Sequence, residues 1–320
     1  MQVLSPGSSM RIVSLLPSAT EMLCALGLED QLVGVTHGCD YPPAVDRLPR
    51  VTSTGIPQDA SSAEIDRLVR ERRAAGLPLY DLDSGLLARL RPDLLVTQGL
   101  CDVCAVPDAT ARDVARGLPG RPAVVSLAPR TLADVFANIS ELGQLTDREG
   151  RAASLVNDLR RRVEVVRVGA EKVERRPRVS LLEWLDPLYT CGHWTPELVS
   201  LAGGIEGHAE AGAASRVLGW EEVLAWQPEL MVIACCGLDT AETDRQFPLV
   251  TRRPGFLDLP CAATGRIFAV DGIAYFSRPG PRLVDSLELL AHLLHPDRFP
   301  ESPWPFLKLS RSMATGPVPA

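Results

Sequence analysis

From Thr131 to Val173 the chain runs without a proline, and its apolar residues return at helical spacing. They are Leu132, Val135, Phe136, Ile139, Leu142, Leu145, then Leu155, Leu159, Val163 and Val166. Roughly forty helical residues at about 1.5 Å each would reach about 60 Å, longer than one small domain. Thr131 followed by Asp134 supplies an amino-terminal capping signal. Gly143 and Gly150 weaken the run locally, so a break near Thr146–Asp147 is compatible with the pattern. A rod of this length has to join two bodies or fold back as two helices of one.

On both sides of the rod, apolar strands alternate with helices. Before it stand Arg11–Pro17, Leu32–Thr36, Leu79–Asp83, Pro92–Gln98 and Ala123–Leu127, with helices over Ser18–Leu26, Ser84–Leu90 and Asp108–Arg116. After it come Arg178–Trp184, Leu230–Gly237 and Arg266–Gly272, with helices from Pro196, over Trp220–Trp226 and over Arg282–Leu294. Strands separated by helices of about ten residues build parallel sheets covered on both faces. The expected fold is therefore α/β: two Rossmann-like lobes with parallel sheets, joined by one long α-helix, with a ligand cleft between them. The corresponding division is 10–130, 131–173, 174–300, and a proline-rich surface tail over 301–320.

A length of 320 residues leaves room for two cores, since single cores tend to split above roughly 250–300 residues. The net charge of −7 argues against nucleic acid as a partner, because phosphates call for a concentrated basic face. No run approaches the ~18–20 apolar residues of a membrane span, so a membrane-embedded protein is not expected. The opening residues lack the basic start and apolar run of a secretory signal, which predicts a cytoplasmic protein as the sequence stands. Removal of a signal would make it periplasmic or cell-surface.

In open parallel sheets ligands collect beyond the carboxyl ends of the strands. There the first half offers His37, Cys39, Tyr41 and Gln98, with Cys101 and Cys104 close behind. The second half offers Trp184, Tyr189, His193 and Trp194, then Phe276 and Arg278. Only 5% of the chain is aromatic, yet several rings fall at these positions, where they give broad apolar walls suited to a flat macrocycle. Cys101-x-x-Cys104, with His37, Cys39 and His193, is a soft-ligand set of the kind that holds zinc or iron. A single C-x-x-C is equally a small turn with buried thiols. The chain carries no nucleophile elbow, zincin helix or phosphate loop, so a binding protein without required cofactor is expected over an enzyme. The alternative is a cytoplasmic metal-binding protein or metal-dependent enzyme built on the Cys/His set.

Six segments taken together resemble a known family. They are RIVSLLPSATEMLCALGLEDQLVGVT from Arg11, DYPP at Asp40–Pro43, RPDLLVTQG at Arg91–Gly99, SLLEWLDPLYTCGHWTPELVSLAGG at Ser180–Gly204, WEEVLAWQPELMVI at Trp220–Ile233 and AYFSRPGPRLVDSL at Ala274–Leu287. The chain is similar to the helical-backbone (class III) periplasmic-binding-like solute-binding proteins of the cobalamin and ferric-siderophore family. DYPP and FSRPGPR are most like the cobalamin-binding branch. The resemblance implies a small metal chelate as ligand, a corrinoid first and a ferric siderophore or haem next, and an ABC permease as partner. It implies that Tyr41 stacks on the ligand from the first lobe. It implies that Phe276 and Arg278 meet its edge from the second, and Trp184 and Trp194 are expected, from their position in the chain, to floor the cleft. It further implies an acidic docking residue on each lobe: Glu221 matches in the second, whereas Ala105–Asp113 has no glutamate and Asp108 is the substitute. Ala274 stands where the resemblance implies an aspartate. A stiff helical connector implies a largely preformed slot with little hinge motion.

Overall fold

The computed structural model describes residues 10–57, 60–100, 105–302 and 304–310. Two compact units emerge, and they are not sequential blocks. The first gathers Met1–Gln58, Leu68–Pro129 and Phe136–Val156; the second gathers Asp59–Arg67, Arg130–Val135 and Asn157–Ala320. Two short excursions thus join the second unit, and the helical stretch is shared.

The first half comprises β1 (Ile12–Ser14), α1 (Pro17–Ala25), β2 (Leu32–Val35), β3 (Thr52–Thr54), α2 (Ser62–Ala74), β4 (Tyr80–Leu82), α3 (Ser84–Leu90), β5 (Leu94–Gln98), α4 (Asp108–Gly117) and β6 (Ala123–Leu127). Its main sheet runs β2-β1-β5-β6, with every pairing parallel. The core packs Val13, Leu15, Leu87, Leu95 and Val106 around the central strands. Pro17 opens α1, where its missing N–H is no loss. Gly27, at a φ of 71°, turns the chain away after the helix, and the Arg151 guanidinium donates to the Leu26 carbonyl at 3.3 Å. Residues 79–83, expected as a strand of the parallel sheet, lie elsewhere: β4 pairs antiparallel with β3 in a separate two-stranded ribbon.

The proline-free stretch is helical in two pieces, α5 (Leu132–Leu145) and the longer α6 (Glu149–Ala170). The break falls over Thr146–Arg148. Asp147 takes a φ of 55°, the Thr146 hydroxyl donates to the Leu142 carbonyl at 2.6 Å, and the Arg148 amide donates to the Gly143 carbonyl at 2.7 Å. Gly143 is the reason the bend is this tight. A Cβ there would lie 2.5 Å from that of Ala152, so the turn closes only over a bare backbone.

Beyond α6 follow β7 (Arg178–Leu185), β8 (Leu188–Thr190), α7 (Thr195–Leu201), β9 (Ile205–Glu206), α8 (Trp220–Trp226), β10 (Leu230–Ile233), α9 (Thr240–Gln246), α10 (Pro248–Thr251), α11 (Pro260–Thr264), β11 (Ile267–Ala269), α12 (Leu283–Leu294) and β12 (Leu307–Lys308). Their sheet runs β12-β11-β10-β7-β8, with β9 also on β7. The pairings among β11, β10, β7 and β9 are parallel, and β8 and β12 run antiparallel at the edges. Arg162 of α6 forks onto Glu288 of α12 at 2.6 and 2.8 Å and reaches Asp285 at 2.5 Å, fastening the two helices. The proline-rich segment does not trail free, as expected, over its described part. Lys308 pairs with Phe268, Phe306 sits edge-on to Phe268, and the Trp304 indole donates to Glu288. No helix among the described residues is long and apolar enough to cross a membrane.

Candidate functional site

The first unit builds its strand-end loop on hydroxyl groups. Beyond β2, Thr36 and Thr52 face one another at 2.6 Å, and Thr52 Oγ1 also lies 2.8 Å from His37 Nδ1 while accepting the His37 amide at 3.0 Å. His37 lies 5.5 Å, centroid to centroid, from Tyr80. Burial, and then the Arg50 charge, lower its pKa, so the imidazole is neutral near neutral pH. Cys39 turns inward: its thiol is buried, 3.0 Å from the Thr20 hydroxyl. Tyr41 leaves 45% of its surface exposed. Gln98 ends β5 with its side chain buried.

In the second unit the strand ends are held by aromatic N–H groups. The half-buried Trp184 indole donates to the carbonyls of Ser62 at 3.2 Å and Asp186 at 3.1 Å. The Tyr189 hydroxyl reaches Asp66 at 3.5 Å. His193 sits at a φ of 55° and stacks on Trp194, with ring centroids 5.5 Å apart. Burial, then Arg130, lower its pKa, so this imidazole too is neutral. Trp194, only 6% exposed, donates from Nε1 to the Phe276 carbonyl at 2.6 Å. Phe276 is 3% exposed and takes a φ of 66°, while Arg278 is 9% exposed.

The structure thus gathers His193, Trp194 and Phe276 into one contact set and gives Trp184 and Tyr189 partners on residues 62–66. Trp194, expected on the cleft floor, is covered and acts on the backbone of Phe276. Among the described residues no group of three or more His, Cys, Asp or Glu side chains could hold a metal. Cys101 and Cys104 lie outside the described residues, and His37 and Cys39 point to Thr52 and Thr20 instead of a shared centre. At the two candidate docking positions, Asp108 opens α4 and takes the Arg112 Nε–H at 2.8 Å, a bond that holds its carboxyl below the usual range. Glu221 stands in the first turn of α8; its neighbour Glu222 is paired with Arg216 at 2.7 Å and caps Gly219.

One buried polar cluster escaped sequence reasoning. Ser180 Oγ lies 2.8 Å from His208 Nε2 beneath β7, and Glu206 Oε1 accepts the Gly207 and His208 amides at 3.1 and 2.9 Å. Glu206 Oε2 is buried without a hydrogen-bond partner, and burial pushes the carboxyl up to about 7. The only signal in sequence was the EGH step after a glycine pair, which names no partner.

The periplasmic binding protein family model matches residues 12–274. The chain therefore belongs to the periplasmic binding protein family, whose members are solute-binding proteins. An ABC transporter substrate-binding lipoprotein of Bacillus subtilis is 24% identical over 302 residues, covering 91% of this chain and 82% of that one. A vitamin B12-binding protein of Vibrio cholerae is 24% identical over 287 residues, 88% of each chain. Among solved structures, the apo periplasmic haem-binding protein RhuT of Roseiflexus matches with a TM-score of 0.69 at 23% identity, over 91% of this chain and all (100%) of that one. The vitamin B12-binding protein BtuF of Vibrio cholerae matches with a TM-score of 0.64 at 22% identity, over 89% and 96% of the two chains. These structural likenesses establish the fold.

Proposed function

We propose that the chain is a non-catalytic solute-binding protein for a corrinoid, handing its ligand to an ABC permease. The observation that carries this reading is the alignment with a vitamin B12-binding protein across 88% of this chain. The strand ends support it. Tyr41 keeps 45% of its surface exposed on the first unit, and Arg278, 9% exposed on the second, carries the planar fork we assign to amide or phosphate oxygens of the ligand. Glu221 and Asp108 are the carboxylates we assign to permease contact. The test is a spectral titration of the full chain with cyanocobalamin. Saturable binding below tens of micromolar, weakened about tenfold or more by Tyr41→Ala, is expected; no binding at that concentration sinks the ligand assignment.

One observation favours haem as a second reading. His193 is a neutral, half-buried imidazole at a strand end, the form that coordinates a metal, and a haem iron has axial positions to fill. Haemin titration with His193→Ala as control separates the two ligands: a Soret shift lost in the variant selects haem. The working location follows from the same choice. A receptor for an importer acts outside the membrane and a carrier within the cell, and fractionation of the native protein decides.

A further inference from the structure

Two of the non-glycine residues with positive φ, His193 and Phe276, are tied together by one side chain, Trp194. A left-handed conformation is unfavourable for a bulky residue such as Phe and persists only where its surroundings over-determine it. Both peptide groups of Phe276 show how. Its carbonyl accepts the Trp194 indole N–H at 2.6 Å, just below the usual range, and its amide donates to Ser286 Oγ at 3.1 Å. Ser286 is fully buried on α12, and its hydroxyl is itself oriented by donating to the Arg282 carbonyl at 3.2 Å. Immediately after Phe276 the chain makes two tight turns. The Ser277 amide donates to Tyr275 O and the Gly280 amide to Arg278 O, each at 2.8 Å. Arg278 therefore leaves a backbone whose direction is set two residues earlier, at Phe276.

We propose that Trp194 and Ser286 are positioning residues for ligand capture: together they clamp Phe276 in its left-handed conformation and so fix the turn that presents Arg278. This inference rests on the reading that the Phe276–Arg278 turn meets the ligand. It moves Trp194 from ligand contact to the support behind it. The Trp194 ring has a second consequence, because His193 stacks on its face. Ligand contacts at His193 and Arg278 then share one rigid support, and the ordering needed on binding is already done.

The experiment uses the full chain with Trp194→Phe, which keeps a ring and removes the N–H, and Ser286→Ala, which releases the other end of the clamp. Hydrogen exchange at the amides of Phe276, Ser277 and Gly280 is followed by NMR, with the melting temperature and cyanocobalamin affinity measured alongside. The five tryptophans give five indole N–H resonances, and the one lost in Trp194→Phe is expected to be strongly protected in the parent. Both variants should speed exchange at those three amides at least tenfold, leave the amides of β7 and β10 protected, and weaken cyanocobalamin about tenfold. Unchanged exchange in the turn overturns the clamp, and so does exchange that rises evenly through the second unit. Equal affinity in parent and variants despite a loosened turn overturns its role in capture. Should the parent not bind cyanocobalamin, the corrinoid reading fails by itself. The affinity arm is then read with haemin, and no binding of either overturns the positioning role.

Discussion

The two units end their strands differently. In the first, the loop after β2 is held by small hydroxyls around His37 and closes with a ring that is 45% exposed. In the second, the turn after β11 is held by a buried indole and a buried serine around a strained, covered phenylalanine. A hydroxyl network tolerates adjustment because each hydroxyl rotates to suit its partner. A left-handed Phe under an indole does not. The first unit thus carries a compliant loop and the second a preset turn.

The glycines give the sharpest way to break that contrast. A Cβ at Gly272 would lie 1.9 Å from the Cys235 carbonyl oxygen, a backbone atom with nowhere to go. Gly272→Ala should cost more than about 3 kcal/mol, the range of severe overpacking, or prevent folding of the second unit. At Gly38 the nearest atom would be Pro17 Cγ at 3.7 Å, ordinary contact, so Gly38→Ala should change stability by less than about 1 kcal/mol. Denaturant titration of the two variants measures the difference, and equal losses would remove the distinction.

Next in size is the split between stability and binding. Phe276→Ala empties a covered site and should lose about 3–4 kcal/mol of stability. Tyr41→Ala removes a ring already 45% exposed and should lose less than about 1 kcal/mol, while still weakening cyanocobalamin. A Tyr41→Ala protein as unstable as Phe276→Ala would show that the first unit is preset too.

Two groups, Glu206 in the second unit and His37 in the first, should answer pH in opposite directions. Glu206 titrates near 7 in the fold against 4.5 for the free side chain. Its favourable protonated state is fully present below 4.5 and is lost as pH rises through about 7, a change of up to about 3 kcal/mol. His37 is depressed from 6.5, so the first unit weakens as pH falls below 6.5. Exchange protection followed from pH 5 to 8.5 should fall on the alkaline side in residues 205–219, where the buried His208 adds an acid-side loss of its own, and on the acid side alone in residues 36–52. Glu206→Gln should flatten the first trend and leave the second. A Glu206→Gln profile that still falls on the alkaline side contradicts the assignment.

Much of this was legible in the chain because short apolar runs declare parallel strands: Ala123–Leu127 and the helices Ser84–Leu90 and Trp220–Trp226 lie where their patterns put them. Three things were not legible. The helix α2 is polar nearly all round, so it lacks the apolar stripe by which a helix is found. The pairings of β3 with β4 and of β11 with β12 join residues far apart in sequence, and short edge strands carry too few residues to announce a partner. Side-chain direction was hidden as well. Spacing along the chain puts Trp194 near a strand end, but only coordinates reveal that its N–H turns to the Phe276 carbonyl.

The smallest expected effects lie at the two candidate docking carboxylates, and they extend the same comparison to the outer surface. In the first unit Asp108 is paired with Arg112 four residues on, whereas in the second Glu222 takes the local arginine and leaves Glu221 its own charge to present. Exposed pairs of this kind contribute about 0.3–0.5 kcal/mol, so Arg112→Ala, Asp108→Ala and Glu221→Ala should each shift stability by no more than about 0.5 kcal/mol. Their effects on a partner should differ in sign. Glu221→Ala should weaken capture by a permease in detergent, and Arg112→Ala should strengthen it by freeing Asp108 for an arginine of the partner. Capture measured against salt tests this, since contacts between exposed charges fade as ionic strength rises. If Arg112→Ala weakens capture instead, the arginine itself is the contact, and the first unit meets its partner with a cation where the second offers an anion.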